Sequence, residues 1–218
     1  MSLDNELEAV RERSKQNIAP ETRAIMEGAT AALQSQNQKA SALKVGDRAP
    51  EFSLTNARGE TVHSRDLLSN GPLVLNFYRG GWCPYCNLEL RAYQSILPEL
   101  KATGAQLAAI SPMLPDASLS AQEKNELEFH VLSDVGNRVA GDFGLVFQLS
   151  NDLKPVYQNF GIDLPGANGD DSHALPVPAT YVIDPDGTIA WAFVDEDYTR
   201  RAEPADVLAH LNAPVHSE

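Results

Sequence analysis

Short, mostly apolar runs bounded by turn residues recur along the chain from residue 73 onward, and polar segments with helical spacing separate them. Such a run between turn signals is typical of a strand that is buried on both faces of a sheet. The strands predicted in this way are 73–78, 105–110, 129–132, 179–183 and 188–194. Strands that alternate with helices indicate an α/β fold, and the hairpin turn between the last two strands makes the central sheet mixed rather than wholly parallel.

The remaining elements follow from the same periodicities. A short hairpin is predicted from 52–54 and 61–63. A helix follows the strand 73–78, is kinked or shortened at Pro98 and ends at Gly104. Further helices are predicted over three segments, of which the second contains glycine interruptions: 120–128, 138–146 and 204–211. The Gly-, Pro-, Asn- and Asp-rich stretch 163–172 is predicted to be a loop.

Residues 1–43 differ from the rest of the chain because they contain no cysteine and no aromatic residue. Their apolar positions have loosely helical spacing, and Pro20 is suited to the first turn of a second helix. Two helices with a narrow apolar stripe cannot form a core alone, so we expect them to pack on the rest of the protein or on a partner subunit. The alternative is a solvated, partly frayed extension. We therefore divide the chain into a helical extension, 1–43, and one domain, 44–218.

The chain is acidic, which limits the partners that it is suited to bind. Its 218 residues carry a net charge of −13, and its isoelectric point is about 4.7. A phosphate backbone or an anionic membrane would repel this charge, so neither nucleic acid nor membrane is expected as a partner. No stretch approaches the roughly 20 apolar residues that span a bilayer, and residues 1–10 lack the apolar run of a secretory signal. The cytoplasm is therefore the expected location.

The two cysteines of the chain lie in one tetrapeptide, where a buried strand is expected to meet a helix. Residues Cys83 and Cys86 are three positions apart, so both lie on one face of a first helical turn, within disulfide reach. Free N–H groups and the helix dipole at this end stabilise a thiolate, the reactive form of cysteine. Pro84 suits the first turn, glycines 80–81 allow a sharp approach, and Arg79 is a nearby cation.

Other interpretations of the cysteine pair are a zinc site, a structural disulfide and two inert buried thiols. A zinc site needs four ligands, and the chain has no second cysteine pair. Its histidines are scattered without paired spacing: His63, His130, His173, His210 and His216. No metal or other cofactor is therefore expected. A structural disulfide is disfavoured in a reducing compartment. The acidic run 195–197 is interpreted as solvated surface.

Pro178 immediately precedes the predicted strand 179–183. If its peptide bond is cis, it abuts the dithiol and presents the Val177 backbone to a bound partner. The alternative is an ordinary proline at a strand entry, because few X–Pro bonds are cis.

Two segments of the chain resemble the peroxiredoxin-like family of alkyl hydroperoxide reductases and thiol-specific antioxidants, which belongs to the thioredoxin superfamily. One is 45–54; the other begins at Phe77 and Tyr78, which match two residues of that family's Phe-Tyr-Pro motif. In this register Cys86 falls on the peroxide-attacking cysteine, and Glu89 matches an acidic residue three positions beyond it. The resemblance covers about residues 44–212 and implies a thioredoxin fold and thiol peroxidase chemistry.

The sequence departs from that family at the positions that shape its peroxide pocket. Arg79 stands where the family has proline, Cys83 where it has threonine, and Pro178 where it has an arginine. The segment from Trp82 to Cys86, Trp-Cys-Pro-Tyr-Cys, instead resembles a glutaredoxin or thioredoxin active site, in which the first cysteine attacks. The two resemblances therefore nominate different nucleophiles.

Three functions follow from these resemblances. In the first, Cys86 attacks hydrogen peroxide or an organic hydroperoxide, becomes a sulfenic acid and condenses with Cys83, and a thioredoxin- or glutathione-type donor reduces the disulfide. In the second, Cys83 reduces protein disulfides. In the third, the dithiol is a redox sensor without turnover. The supporting residues expected around the dithiol are Arg79, Trp82, Pro84, Glu89 and Pro178. A homodimer is the expected assembly, since cyclic pairs are the commonest.

Overall fold

A seven-stranded mixed sheet forms the centre of the protein in the computed structural model, which describes residues 2–213. His216 therefore lies outside the described residues. The strand order of the seven-stranded sheet is β2-β1-β5-β4-β3-β8-β9. These strands are β1 (Ser53–Asn56), β2 (Thr61–His63), β3 (Leu73–Phe77), β4 (Gln106–Ser111), β5 (His130–Ser133), β8 (Ala179–Ile183) and β9 (Ile189–Val194). A separate antiparallel pair consists of β6 (Val146–Gln148) and β7 (Ala174–Pro176).

Strand β3 lies inside the sheet between β4 and β8, and each of its residues is buried. It pairs in parallel with β4 and antiparallel with β8, which confirms a mixed sheet. The one polar side chain of β3, Asn76, donates a hydrogen bond of 3.0 Å to Thr180 on β8. The predicted hairpin of β1 and β2 and the closing hairpin of β8 and β9 are also present.

Ten α-helices and one short 3₁₀ helix lie in the described residues. They are α1 (Leu3–Asn17), α2 (Pro20–Ser35), α3 (Ser64–Leu68), α4 (Pro84–Ser95), α5 (Leu97–Ala102), α6 (Pro115–Lys124), α7 (Arg138–Asp142), α8 (Leu153–Asn159), α9 (Leu164–Asn168), α10 (Pro204–Asn212) and the 3₁₀ helix Gln38–Ser41. The predicted interruption before Pro98 separates α4 from α5. No helix within residues 2–213 is long and apolar enough to cross a membrane.

Helices cover the sheet on both faces, so the expected α/β layer architecture is confirmed. On one face, Leu90 and Tyr93 of α4 pack with Val74 of β3. On the other face, Phe77 of β3 stacks against Phe143, with ring centroids 4.9 Å apart. The alternation of side chains along β3 thus places neighbouring residues in two separate cores.

The N-terminal helices are ordered against the rest of the protein. Leu3 and Leu7 of α1 are buried in the core that contains α4, and Glu203, at the N-terminal end of α10, accepts hydrogen bonds from the backbone N–H groups of Leu3 and Asp4. Helix α2 contains no fully buried residue, but its half-buried Met26 packs against the cluster that includes α8. The division into an extension and a domain stays a prediction.

Three sequence-based boundaries were wrong, each for a local reason. The helix predicted over 120–128 begins five residues earlier, because Pro115 starts its first turn. The helix predicted over 138–146 ends at 142, because Gly144 adopts a left-handed conformation with φ of +72°. The loop predicted over 163–172 contains α9, which begins where the Asp163 side chain accepts a 3.0 Å hydrogen bond from the Gly166 N–H.

Candidate active site

The two cysteines lie where the chain passes from β3 into α4. Cys83 occupies the N-cap position of α4, Pro84 is the first helical residue and Cys86 lies in the first turn. Gly80 has a φ of +154°, and a Cβ atom there would lie 2.2 Å from the indole nitrogen of Trp82. The backbone therefore requires glycine at this approach. The Asn87 side chain closes the loop by donating a 2.8 Å hydrogen bond to the Gly81 carbonyl.

Both sulfur atoms are buried and free of disulfides. Burial opposes ionisation of Cys83, but the hydrogen bond from the Cys86 thiol and the cations of Arg79 and Arg201 outweigh it and lower the pKa of Cys83 to about 5. Burial and the neighbouring sulfur raise the pKa of Cys86 well above its usual range. The pair therefore holds one proton at neutral pH, and the guanidinium groups of Arg79 and Arg201 stabilise its single negative charge.

The guanidinium of Arg79 lies inside a box of three aromatic rings. Its central carbon is 4.4 Å from the ring centroid of Tyr198, 5.2 Å from Trp82 and 5.8 Å from Tyr157. It donates a hydrogen bond to the Tyr157 hydroxyl, whereas its Nε–H has no hydrogen-bond partner in the described residues. No carboxylate of residues 2–213 forms an ion pair with Arg79, so cation–π contacts and the Cys83 charge are what stabilise it there.

A second buried cation, Arg201, contacts Cys86 directly. Its Nη2 lies 3.2 Å from the Cys86 sulfur, and its Nε donates a 2.7 Å hydrogen bond to Glu89. Burial raises the pKa of Glu89 to about 7, against the opposing effect of the Arg201 cation. The site thus contains two guanidinium groups and one carboxyl group, that of Glu89, whose charge changes near neutral pH. The contact with Arg201 gives a reason for an acidic residue at 89, three positions beyond Cys86.

No local signal in the sequence marks Arg201 as part of the site. The residue lies in the segment between β9 and α10, 115 positions from Cys86. The interpretation of 195–197 as a solvated run was wrong for Glu196, which is 4% exposed. Its carboxylate accepts a 2.9 Å hydrogen bond from the backbone N–H of Lys39 and therefore ties the 3₁₀ helix to the C-terminal half of the chain.

The other expected residues lie around the dithiol. Trp82 is half-buried, and its ring centroid is 5.5 Å from that of Tyr157. Pro178 lies between β7 and β8, and no peptide bond in residues 2–213 is cis, so the Val177–Pro178 bond is trans. Pro178 thus has the ordinary strand-entry conformation, and it shares a cavity wall with Arg79.

That cavity, which we call the α2 cavity, lies between α2 and α8. Its volume is about 100 Å³, and it opens to solvent. Met26, Ala29 and Leu33 of α2 form one wall, and Leu149 and Leu153 form the facing wall. Its inner end reaches the box around Arg79 through Tyr157, Tyr198 and Pro178. The cavity therefore leads from the surface to the aromatic box around Arg79, and neither cysteine is among its lining residues.

Comparison with known proteins places the chain in a family. Residues 45–192 match the AhpC/TSA family. Peroxiredoxin Bcp of Escherichia coli is 31% identical over 153 residues, which are 70% of this chain and 86% of that protein. The thiol-disulfide oxidoreductase ResA of Bacillus anthracis is 28% identical over 125 residues, 55% of this chain and 71% of that protein.

A solved structure shows the same fold. The crystal structure of peroxidoxin BcpB from Mycobacterium tuberculosis superposes with a TM-score of 0.61 at 24% identity and covers 78% of this chain and 96% of its own. The similarity of the sheet and the match over 45–192 agree with each other, while α1 and α2 precede the matched region. On these grounds the chain belongs to the AhpC/TSA family and has its peroxiredoxin-like thioredoxin fold.

Proposed function

We propose that this protein is a thiol-dependent peroxidase in which Cys83 and Cys86 form a catalytic dithiol. The observation that carries the proposal is the buried pair of cysteines at the start of α4 beside two guanidinium groups, with Arg201 3.2 Å from the Cys86 sulfur. A thiolate is the form of cysteine that attacks peroxide, and the lowered pKa of Cys83 supplies it at neutral pH. The relatives named peroxiredoxin give the reaction class, with a peroxide as oxidant and a thiol as reductant.

In the first step, the Cys83 thiolate attacks the terminal oxygen of a hydroperoxide. A sulfur–oxygen bond forms while the oxygen–oxygen bond breaks, so that sulfur is oxidised by two electrons to a sulfenic acid. The departing alkoxide, or hydroxide from hydrogen peroxide, takes the proton from the Cys86 thiol. Because Cys86 retains its proton at neutral pH and is hydrogen-bonded to Cys83, it is suited to be this acid.

In the second step, the new Cys86 thiolate attacks the sulfenic acid of Cys83. A disulfide forms and hydroxide leaves, taking a proton from solvent. The Arg201 guanidinium, 3.2 Å from the Cys86 sulfur, stabilises the thiolate between the two steps. An external dithiol, or two thiols of the thioredoxin or glutathione type, then returns two electrons and two protons by thiol–disulfide exchange.

This assignment reverses the roles that the register with peroxiredoxins implies, in which Cys86 attacks. Two observations favour Cys83. Its pKa is the lowered one of the pair, and Arg79, whose cation contributes to that lowering, lines the α2 cavity. The contact of Arg201 with Cys86 fits a thiolate that forms in the second step equally well.

Arg79 has two roles in the first step. Its cation lowers the pKa of Cys83, and its unpartnered Nε–H is a hydrogen-bond donor available to the peroxide oxygens. It would thereby replace the arginine that peroxiredoxins carry at the position of Pro178. The aromatic box excludes water from the guanidinium, which strengthens both interactions.

Stopped-flow tryptophan fluorescence of reduced protein mixed with hydrogen peroxide tests the function and the assignment. Trp82 lies beside the dithiol and should report its oxidation. We expect Cys86→Ser to form one trappable sulfenic acid per chain without turnover, and Cys83→Ser to react at least 100-fold more slowly. The opposite pattern would assign the attack to Cys86. Slow oxidation of all three proteins would refute the peroxidase.

A second candidate function is reduction of protein disulfides. Its specific support is a lowered pKa at the N-cap cysteine of a helix in a Cys-Pro-Tyr-Cys segment, together with similarity to the oxidoreductase ResA. Rapid reduction of insulin by the reduced protein, with slow reaction towards peroxide, would make this the principal activity. A dithiol that oxidises once and that no thiol donor reduces would instead favour a redox sensor.

The cellular setting follows from the same chemistry. A dithiol that turns over needs a reducing thiol pool, which is available in the cytoplasm, so we keep a cytoplasmic location in the proposal. A homodimer also stays a proposal, to be tested by light scattering of the reduced and oxidised protein.

A further inference from the structure

The walls of the α2 cavity are apolar where the cavity is farthest from the dithiol. Met26, Ala29 and Leu33 face Leu149 and Leu153 across it. Covering exposed apolar surface of this kind with another apolar group lowers the free energy by about 25 cal/mol for each Å² removed from water. The volume of about 100 Å³ is well above the roughly 10–15 Å³ that one water requires, so the cavity has room for a small branched hydrocarbon group.

Charge restricts what the cavity can bind. Arg79 lies at the inner end, where it is balanced by the Cys83 thiolate, and Glu196 lies in the wall. The Glu196 carboxylate is nearly buried, with the Lys39 ammonium 3.8 Å away and largely exposed. The Glu196 carboxylate would repel a ligand that carries a carboxylate, but it would not repel a neutral ligand. A neutral, apolar body with one polar end at Arg79 therefore fits best.

We propose that the α2 cavity binds the apolar body of neutral organic hydroperoxides, with the peroxide group at Arg79, and that Ala29 and Leu33 of α2 set the preference for these substrates over hydrogen peroxide. The proposal rests on the peroxidase function above. It also gives a role to α2, which lies outside the region that matches the family, 45–192. The reaction would then be that of the family, while residues of α2 in this chain would select the substrate.

The first test compares two tryptophan substitutions on α2. Ala29→Trp fills the cavity, whereas Ala31→Trp places the same side chain on the exposed face of the helix. We expect the ratio of kcat/KM for cumene hydroperoxide to kcat/KM for hydrogen peroxide to fall about tenfold in Ala29→Trp, the scale of a lost apolar contact. The ratio in Ala31→Trp should match that of the parent. Equal ratios in all three proteins would overturn the proposal.

The second test measures binding without turnover, so it distinguishes failure of this proposal from failure of the peroxidase. The probe is 2-phenylpropan-2-ol, the product of cumene hydroperoxide, added to protein with ¹³C-labelled methionine methyl groups. The chain has three methionines, of which Met26 lines the cavity and Met113 does not. A saturable shift of the Met26 signal with Met113 unchanged supports the site, even if no peroxide reacts. No shift of Met26 at millimolar probe refutes it, even if hydrogen peroxide is reduced.

Discussion

Replacement of Arg201 by methionine should destabilise the protein in a way that depends on pH. In the native protein the Arg201–Glu89 pair is completely buried, with 2.7 Å between Nε and the carboxylate. Methionine keeps much of the volume but leaves the Glu89 charge without its cation. Removing one partner of a buried ion pair typically costs about 3–5 kcal/mol, because the remaining charge is uncompensated.

The pH dependence follows from the pKa of Glu89. Burial raises this pKa from 4.5 to about 7 in the folded parent, so stability is greatest below pH 4.5, falls by about 3 kcal/mol as pH rises to 7, and is then constant for this group. Without the Arg201 cation the pKa should rise further. The loss of stability then continues beyond pH 7, and the variant should lose about 1–1.5 kcal/mol more at pH 8 than at pH 6, relative to the parent.

The assay is urea unfolding at pH 6 and pH 8, followed by tryptophan fluorescence. Parent and variant both carry Cys83→Ser and Cys86→Ser, so that no thiol titrates. Arg200→Met is the matched control, since Arg200 is largely exposed and its pair with Asp195 spans 3.3 Å at the surface. Adding Glu89→Gln to Arg201→Met should abolish the extra loss at pH 8. An equal loss at both pH values, or no effect of Glu89→Gln on the pH dependence, would refute the reasoning.

Three further predictions concern the thiolate, the aromatic box and the backbone. Ultraviolet absorbance of reduced protein at 240 nm should show one thiolate forming near pH 5, and in Cys83→Ser this transition should move to higher pH; an unchanged transition would place the thiolate elsewhere. Tyr157→Phe removes the hydroxyl that accepts from Arg79 and should lower kcat/KM for hydrogen peroxide several-fold, whereas an unchanged value would mean that the box does not position the guanidinium. Gly144→Ala should lower the free energy of unfolding by roughly 2 kcal/mol or more, because the residue has a φ of +72° and a Cβ atom would lie 1.9 Å from a carbonyl oxygen of the 3₁₀ helix. Gly136→Ala, with a φ of +81° and open space around it, is the control and should lose about 1 kcal/mol; equal losses in denaturant unfolding would show that the close approach is relaxed.

Most of the central sheet was predictable because a strand that is buried on both faces is a short apolar run between turn residues in the sequence. The five residues of β3 are all buried, and four of them are apolar, so the run is easily distinguished from its surroundings. Strand β8 was predicted with its observed bounds for the same reason. Elements that depend on single capping contacts were predicted less well. The start of α9 depends on one Asp163 hydrogen bond within a stretch whose composition indicates a loop.

The candidate site was predictable only in its local part. Cys83 and Cys86 lie three positions apart in one motif, so their spacing predicts that both lie in the first turn of one helix. Arg201 is brought to Cys86 by the packing of the segment before α10, and its burial is compensated by Glu89. Such a contact depends on tertiary structure, for which no periodicity or motif in a single sequence is a signal. Glu196 was wrongly predicted to be solvated. Its carboxylate accepts a hydrogen bond from the backbone N–H of Lys39, which is 157 positions away in the sequence.

The pairing of two buried guanidiniums with one carboxylate has a consequence for the order of events in the proposed cycle. In the reduced state above pH 7, where Glu89 is ionised, the charges of Arg79, Arg201, Glu89 and the Cys83 thiolate cancel. Disulfide formation removes the thiolate charge and leaves an excess of one positive charge in a site of low dielectric constant. The oxidised enzyme therefore attracts an anionic thiol donor, and reduction removes that attraction. Release of the spent donor is thus favoured by the same event that regenerates the enzyme.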